Sequence, residues 1–160
     1  MRDALARGYK LGIIGSGDSH NGHPGRRDSG ALSAGLMGVY AEELTRESIW
    51  KALQEKRVYA TSGARIIIDF QINNETMGQI IPVGDGQTVR DISGRVIGTD
   101  VIKEVAIIKN GLTLYAEKGQ GREITIRYSD KTPVKAGDYY YLRAIQEDDE
   151  IAWSSPVWLE

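Results

Sequence analysis

Both histidines of the chain lie in one glycine-rich segment, residues 15–25, together with an aspartate. Asp18 and His20 are two positions apart, and His23 follows three positions later. A carboxylate and neutral imidazoles are ligands that suit Zn²⁺, Mn²⁺ or Fe²⁺. The pattern therefore makes these three residues candidate ligands of a divalent metal ion.

The same segment is open to other interpretations. Asp-Ser-His and His-Pro-Gly also occur in ordinary turns, where Asp and Ser side chains bond to nearby backbone groups. Ser16 or Ser19 beside a histidine would suit a nucleophile, although no G-x-S-x-G pattern accompanies them. The glycines suit an anion-binding nest but match neither the phosphate-binding loop nor the dinucleotide fingerprint. Arg26 and Arg27 are candidates for binding phosphate or carboxylate beside a metal, or are solvated loop charges.

The elements that would position this segment are short. The apolar run at 11–14 predicts a buried strand over 11–15, and a polar loop after a buried strand is a usual place for chemistry. Residues 2–8 are typical of the end of a helix, with Gly8 as its C-terminal cap. Further along, the sequence predicts a strand over 35–41, a helix from the N-cap Thr45 to about Lys56, and a strand over 58–61.

From residue 64 onward the sequence is rich in β-formers. It predicts strands over 64–72, 77–83 (returning antiparallel), 88–97, 101–108, 112–115, 123–128, 138–146 and 151–159. Turns are expected at Asn73-Asn74, Asp148-Asp149 and, most clearly, Asn110-Gly111. Short strands with frequent turns indicate a β-sandwich. We therefore divide the chain into residues 1–63 and a β-sandwich domain at 64–160.

Composition limits the partners. The chain has 160 residues, 26% of them charged, with a formal net charge of −2. This balance gives no electrostatic reason to expect nucleic acid or an anionic membrane as a partner. No window approaches the roughly 20 apolar residues of a membrane span, and the first residues are too charged for a signal peptide. With no cysteine in the sequence, we expect a soluble, cytoplasmic protein without thiolate chemistry.

A family resemblance adds to these interpretations. Residues 10–20 (KLGIIGSGDSH) resemble the last metal-binding motif of the PHP-type (polymerase and histidinol phosphatase) metal-dependent phosphoesterases, in which a late strand ends in Ser/Gly-Asp-x-His. Residues 43–53 and 57–66 resemble the closing helix and strand, and residues 152–158 the end of an appended β domain. The resemblance implies an α+β, mainly β fold. A short N-terminal α/β remnant of a PHP barrel would precede an immunoglobulin-like antiparallel β-sandwich.

The resemblance also implies a role for the motif residues. Asp18 and His20 would each bind a metal of a two- or three-metal cluster that activates water against a phosphoester, while His23 lies beyond the motif core. The family supplies a His-x-His motif and further ligands before this point, whereas this chain has two histidines in total. We therefore expect a C-terminal fragment of such a hydrolase, with an incomplete Mn, Zn or Fe site and no activity alone.

Two further expectations concern partners. Strands near 11–15, 38–41 and 58–61 would lack their usual neighbours, which predicts a homodimer that buries residues 1–60. The alternative to a hydrolase fragment is a non-catalytic β-sandwich module that binds a ligand or a protein. Its candidate surface is an aromatic strip that would bind sugars or a partner, although packing in the core is the competing interpretation of Tyr139, Tyr140, Tyr141, Trp153 and Trp158.

Overall fold

The computed structural model describes residues 1–17, 34–83 and 89–160. Within them, two helices lie in the N-terminal part, α1 (Arg2–Ala6) and α2 (Arg46–Gln54). α2 begins as predicted, because the Thr45 side chain accepts a hydrogen bond from the backbone N–H of Ser48. Gly8 follows α1 with a φ of 83°, the left-handed conformation that ends many helices. No helix in these ranges is long and apolar enough to cross a membrane.

Strands make up most of the remaining described chain. They are β1 (Leu36–Val39), β2 (Val58–Thr61), β3 (Ile67–Ile72), β4 (Glu75–Thr76), β5 (Ile80–Ile81), β6 (Arg90–Ile97), β7 (Ile102–Lys109), β8 (Leu112–Glu117), β9 (Glu123–Asp130), β10 (Tyr139–Gln146), β11 (Ile151–Ser154) and β12 (Val157–Leu159). One sheet has the order β1-β2-β11-β10-β12-β5, and β7 joins it beside β10 and carries β8. The other has the order β4-β3-β6-β9. The prediction of a mainly β protein with antiparallel sheets is confirmed.

The two sheets pack face to face around one core. Phe70, Ile92 and Ile126 of the smaller sheet meet Ile107 and Leu142 of the larger sheet, and each is at most 2% exposed. Alternate residues of β3, β6, β7 and β10 point to this core, which is the arrangement of a β-sandwich. In β9, Ile124 and Ile126 alternate with polar residues, and this alternation marks the inner face of the smaller sheet.

A second, smaller core lies on the outer face of the larger sheet. Leu5 of α1, only 3% exposed, packs there against side chains that the sheet turns away from the sandwich. These side chains are Ala106, Ile108, Tyr139, Tyr141 and Trp158. The N-terminal helix is therefore a cover for part of this outer face.

The predicted turns are confirmed. Asn73 and Asn74 have φ values of 51° and 69°, and Asn110 and Gly111 have values of 50° and 80°. Two successive positive φ angles are the mark of the two-residue hairpin turn that Asn and Gly favour. Asp149 also has a positive φ, 62°, in the turn between β10 and β11.

The strand predicted over 11–15 is wrong. In the structure these residues form no sheet pairing, although they run along β2. The backbone N–H of Ile13 instead donates to the side chain of Ser155, at 2.9 Å from its Oγ. The reason is that β2 already pairs with β1 along one edge and with β11 along the other. An apolar run beside a fully paired strand has no edge left to join.

Two other strand predictions also change. Only β4 returns antiparallel onto β3, whereas β5 crosses to the other sheet and pairs parallel with β12. Gly78, with a φ of 90°, makes this crossing and donates its N–H to the carbonyl of Pro156. The predicted strand over 151–159 is divided into β11 and β12 by Ser155 and Pro156, because proline has no N–H for a sheet ladder.

The larger sheet continues across the proposed domain boundary. β1 and β2 come from residues 1–63, and β2 pairs with β11 from the C-terminal part, with Trp153 opposite Ala60. The N-terminal strands are thus an extension of one sandwich sheet. The division into 1–63 and 64–160 stays a prediction.

Candidate functional site

Gly17 and Ala34, the described residues on either side of residues 18–33, lie close together. A Cβ atom on Gly17 would be 2.6 Å from the Cβ of Ala34. A Cβ on Gly15 would be 2.5 Å from the carbonyl oxygen of Leu36 and 2.7 Å from that of Thr61. A side chain at Gly15 would therefore force the backbones apart, and glycine permits their close approach. We call residues 15–17, 34–36 and Thr61 the loop base.

The chain entering the loop base is fixed by a buried serine. Ser155 Oγ accepts the Ile13 N–H at 2.9 Å and donates to the carbonyl oxygen of Val58 at 2.5 Å. Ser155 is 0% exposed, so both bonds are shielded from water. Ser155 thus ties residues 11–14, which precede the loop base, to β2.

A buried carboxylate lies next to the loop base. Glu150, 5% exposed, accepts a hydrogen bond from Ser62 Oγ at 2.6 Å and from the Ala64 N–H at 3.1 Å. Ser62 directly follows Thr61, and its hydroxyl oxygen accepts the N–H of Ile151 at 2.8 Å. These bonds hold the chain after β2 against the start of β11, and thereby fix the residues that follow Thr61 of the loop base.

The predicted site residues lie outside the described part of the chain. Asp18, His20, His23, Arg26 and Arg27 all belong to residues 18–33. Among the residues that the structure describes, no group of three or more His, Cys, Asp or Glu is placed to hold a metal ion. The structure describes the loop base, which flanks residues 18–33 in sequence, and the roles of these candidates stay predictions.

A polar cluster that the sequence did not single out lies at another place, between the two sheets. Asp130 Oδ2 is 2.8 Å from Arg90 Nη2 and 3.1 Å from Lys109 Nζ, and it accepts the hydroxyl of Tyr140 at 2.8 Å. Asp130 Oδ1 accepts the N–H of Thr132 at 2.8 Å. We call Arg90, Lys109, Asp130 and Tyr140 the inter-sheet cluster. The sequence contained one sign of this cluster: in the alternation of β6 and β9, Arg90 and Asp130 fall at positions whose side chains point to the core.

The electrostatics of this cluster indicate a structural role. Burial alone would raise the pKa of Asp130, but hydrogen bonds from Arg90, from Thr132 and from Tyr140 outweigh it and hold this pKa far below its usual range. Burial would lower the pKa of Lys109, yet its bonds to Tyr140 and Asp130 raise it. A carboxylate so strongly held in its charged form is a poor proton acceptor. The cluster therefore clamps the sheets together.

The aromatic residues near the C-terminus belong to the cores. Tyr139, Tyr140, Tyr141 and Trp158 are at most 5% exposed, and only Trp153 of the five is half-buried. The predicted aromatic strip for sugars or a partner is thus wrong, because these rings fill the sandwich core or the smaller core under α1. The competing interpretation, core packing, is confirmed.

Comparison with known proteins gives a family model and several long relatives. A family described as "Protein of unknown function (DUF3604)" matches residues 27–103. An uncharacterized protein of Chlamydia muridarum is 35% identical over 98% of this chain and 28% of its own length. Uncharacterized proteins of Chlamydia trachomatis serovar D and Chlamydia pneumoniae are 34% and 33% identical, again over 28% of their own length. No solved structure matches the chain.

These similarities show how much of each relative corresponds to this chain. The chain spans about 28% of the length of the curated relatives that it matches, and the alignment covers nearly all of its residues. The matched region includes both the loop base and the inter-sheet cluster. The relatives thus contain a similar region within a much longer polypeptide.

Proposed function

We propose that residues 15–25 supply one corner of a divalent-metal site in a cytoplasmic, PHP-like metal-dependent phosphoesterase. In this proposal residues 1–63 are the remnant of the family's barrel, and the sandwich is its appended, immunoglobulin-like domain. The motif resemblance of residues 10–20 carries the proposal. The close approach of Gly17 and Ala34 supports it, because it brings together the described residues on either side of the predicted ligands.

The donor types fit the metals that the resemblance implies. Asp18 and His20 offer a carboxylate and an imidazole, with His23 as a third candidate, and these suit Mn²⁺, Zn²⁺ or Fe²⁺. A bound metal ion would supply polarisation of the phosphoester and an activated water. Arg26 and Arg27 would bind the phosphate oxygens of the small-molecule substrate.

The remaining ligands would come from polypeptide outside these 160 residues. Among the described residues, no group of three or more His, Cys, Asp or Glu is placed to hold a metal ion. The relatives contain much additional chain, since the matched region is 28% of their length. We therefore propose that the 160-residue chain binds metal weakly and does not hydrolyse phosphoesters alone.

Mn²⁺ binding by isothermal titration tests this proposal. Asp18→Ala should weaken binding at least tenfold. Asp28→Ala is the matched control, because it removes a carboxylate that follows the segment in sequence and lies outside the motif, and it should change the affinity less than twofold. Equal loss in both variants, or no Mn²⁺ binding by the unaltered chain, would contradict the metal assignment. Phosphatase activity that disappears in Asp18→Ala would contradict the claim of inactivity.

A second candidate, a non-catalytic interaction module, is favoured by exposed apolar surface. Leu11 and Ile14 are 49% and 57% exposed beside β2. Clustered apolar surface of this kind is typical of an interaction site. If the chain forms a stable complex with another protein but binds no Mn²⁺, this candidate is favoured over the first.

A further inference from the structure

An apolar groove lies on the outer face of the larger sheet, beside α1. Its volume is about 620 Å³. Its apolar lining comes from Met1, from α1, from residues 11–14 and from β2 and β11, and it includes Leu5, Leu11, Ile13, Ile14, Ala60 and Trp153. We call this surface the outer groove. It adjoins the loop base, because Gly15 and Thr61 belong to both.

The outer groove continues the smaller core. Leu5 covers one part of the outer sheet face and is itself buried, whereas Leu11 and Ile14 leave half of their surface in water. Met37, 39% exposed, lies opposite Ala60 in the sheet register, and Ala60 lies opposite Trp153. Residues opposite each other on neighbouring antiparallel strands share a face. An apolar row thus crosses three strands next to the groove.

This surface is unfavourable in water. Burial of large aliphatic side chains is favourable, because it removes apolar surface from water. Leu11 and Ile14 line the groove, Met37 lies opposite its residue Ala60, and all three are partly exposed. A short helix of five residues covers only the neighbouring part of the face. The groove therefore has the composition of an internal packing surface.

We propose that the outer groove is the docking surface for the polypeptide that, in the relatives, makes up the rest of the chain. The argument joins two observations: the matched region covers 98% of this chain but 28% of the relative from Chlamydia muridarum, and its sheet exposes an apolar face. The occupant is an apolar surface whose aliphatic or aromatic side chains enter beside Trp153. This proposal rests on the part of the proposed function that places further polypeptide outside these residues.

Thiol labelling tests the proposal, because the chain has no cysteine of its own. Ile14→Cys places a thiol at the groove. Leu112→Cys is the matched control, since Leu112 is 75% exposed and lies on β8, outside the groove. Each variant is labelled with iodoacetamide as the isolated chain and as a chimera in which this chain replaces the matched region of the Chlamydia muridarum relative. Peptide mass spectrometry distinguishes the engineered thiols from any others.

In the chimera, the labelling rate of Ile14→Cys should fall at least tenfold, while that of Leu112→Cys changes less than twofold. An unchanged rate at Ile14→Cys would overturn the proposal. Equal protection in the isolated chain, together with a dimer in light scattering, would also overturn it, because a second copy would then be the occupant. If the chimera fails to fold, hydrogen exchange of the natural relative and of its excised matched region decides the question. The segment aligned with residues 9–16 should exchange more slowly in the whole protein, and equal exchange would overturn the proposal.

The outcome is separable from that of the metal proposal. Groove protection does not depend on Asp18, so Asp18→Ala in the chimera should leave the labelling rate of Ile14→Cys unchanged. A chimera with a protected groove that binds no Mn²⁺ would contradict the metal site alone. A chimera that binds Mn²⁺ through Asp18 with an accessible groove would contradict the docking surface alone.

Discussion

Two buried carboxylates, Asp130 and Glu150, are held in different ways. Asp130 is 0% exposed and contacts two cations, Arg90 and Lys109. Glu150 is 5% exposed and accepts bonds from a hydroxyl, that of Ser62, and from the backbone N–H of Ala64. The first joins the two sheets of the sandwich, and the second fixes the chain beside the loop base. Asp130 therefore stabilises the packing of the two sheets, whereas Glu150 stabilises one local segment.

The difference predicts unequal contributions to stability. Removal of one partner from a buried, hydrogen-bonded ion pair leaves an uncompensated charge in the interior, which commonly costs several kcal/mol. Loss of the two hydrogen bonds that Ser62 and Ala64 donate to Glu150 costs less, because these two donors carry no net charge. The inter-sheet cluster should therefore be the more sensitive of the two regions.

Asp130→Asn should have the largest effect. The substitution removes the negative charge between Arg90 and Lys109 and should lower the free energy of unfolding by about 3–5 kcal/mol. Urea denaturation measures this loss. Glu123→Gln is the control, because the side chains of Glu123 and its partner Arg95 are 53% and 55% exposed, and it should cost at most about 1 kcal/mol. Similar losses in the two variants would show that the inter-sheet cluster is no clamp.

The second prediction uses pH to isolate the same carboxylate. The pKa of Asp130 in the folded chain lies well below its ordinary value, since the bonds from Arg90, Thr132 and Tyr140 outweigh the effect of burial. The stability that Asp130 contributes is therefore fully present above the unfolded pKa of about 3.9. It is lost as the pH falls through the lower folded pKa, because the unfolded chain then binds the additional proton.

The difference in unfolding free energy between the unaltered chain and Asp130→Asn should thus be constant from pH 7 to about pH 5 and shrink below about pH 4. Denaturation in urea at a series of pH values measures this. A difference that grows on acidification would have the wrong sign for a depressed pKa.

Glu150→Gln should have a smaller effect. The amide keeps one acceptor oxygen for Ser62 or Ala64 but loses the charge that strengthens both bonds, so we expect a loss of about 1–3 kcal/mol. Glu147→Gln is the matched control, because Glu147 is exposed in the same turn region, and it should change the stability by at most about 0.5 kcal/mol. A loss as large as that of Asp130→Asn would remove the distinction between the two carboxylates.

Much of the sandwich was predictable because its signals are local. The alternation in β9 identified Ile124 and Ile126 as inward residues, and Asn110-Gly111 identified the β7–β8 hairpin. The same alternation gives Asp130 an inward parity, but the partners of Asp130 come from β6, β7 and β10. Those partners depend on sheet order and register, which no local pattern contains.

The wrong predictions have the same cause. The apolar run at 11–14 has the composition of a strand, but whether it pairs depends on the occupied edges of β2. The tyrosine-rich strand β10 suggested a ligand surface, because a sequence cannot show that α1 and the smaller sheet cover its two faces. For the candidate site, residue types selected Asp18, His20 and His23, which lie outside the described residues. The loop base depends on contacts of Gly15 and Gly17 with residues distant in sequence, which no local pattern predicts.

Ser155→Ala should have the smallest overall effect and the most local one. It removes the acceptor for the Ile13 N–H and the donor to Val58, and it should cost about 1 kcal/mol, because these bonds tie down one short segment. Hydrogen exchange at the Ile13 amide should rise at least tenfold, while exchange at the amides of β10 changes little. Thr113→Ala, on exposed β8, is the control and should leave both rates unchanged. Uniform acceleration across β10 would mean that Ser155 stabilises the whole sandwich, whereas a selective effect would show that the entry to the loop base is held separately from the fold.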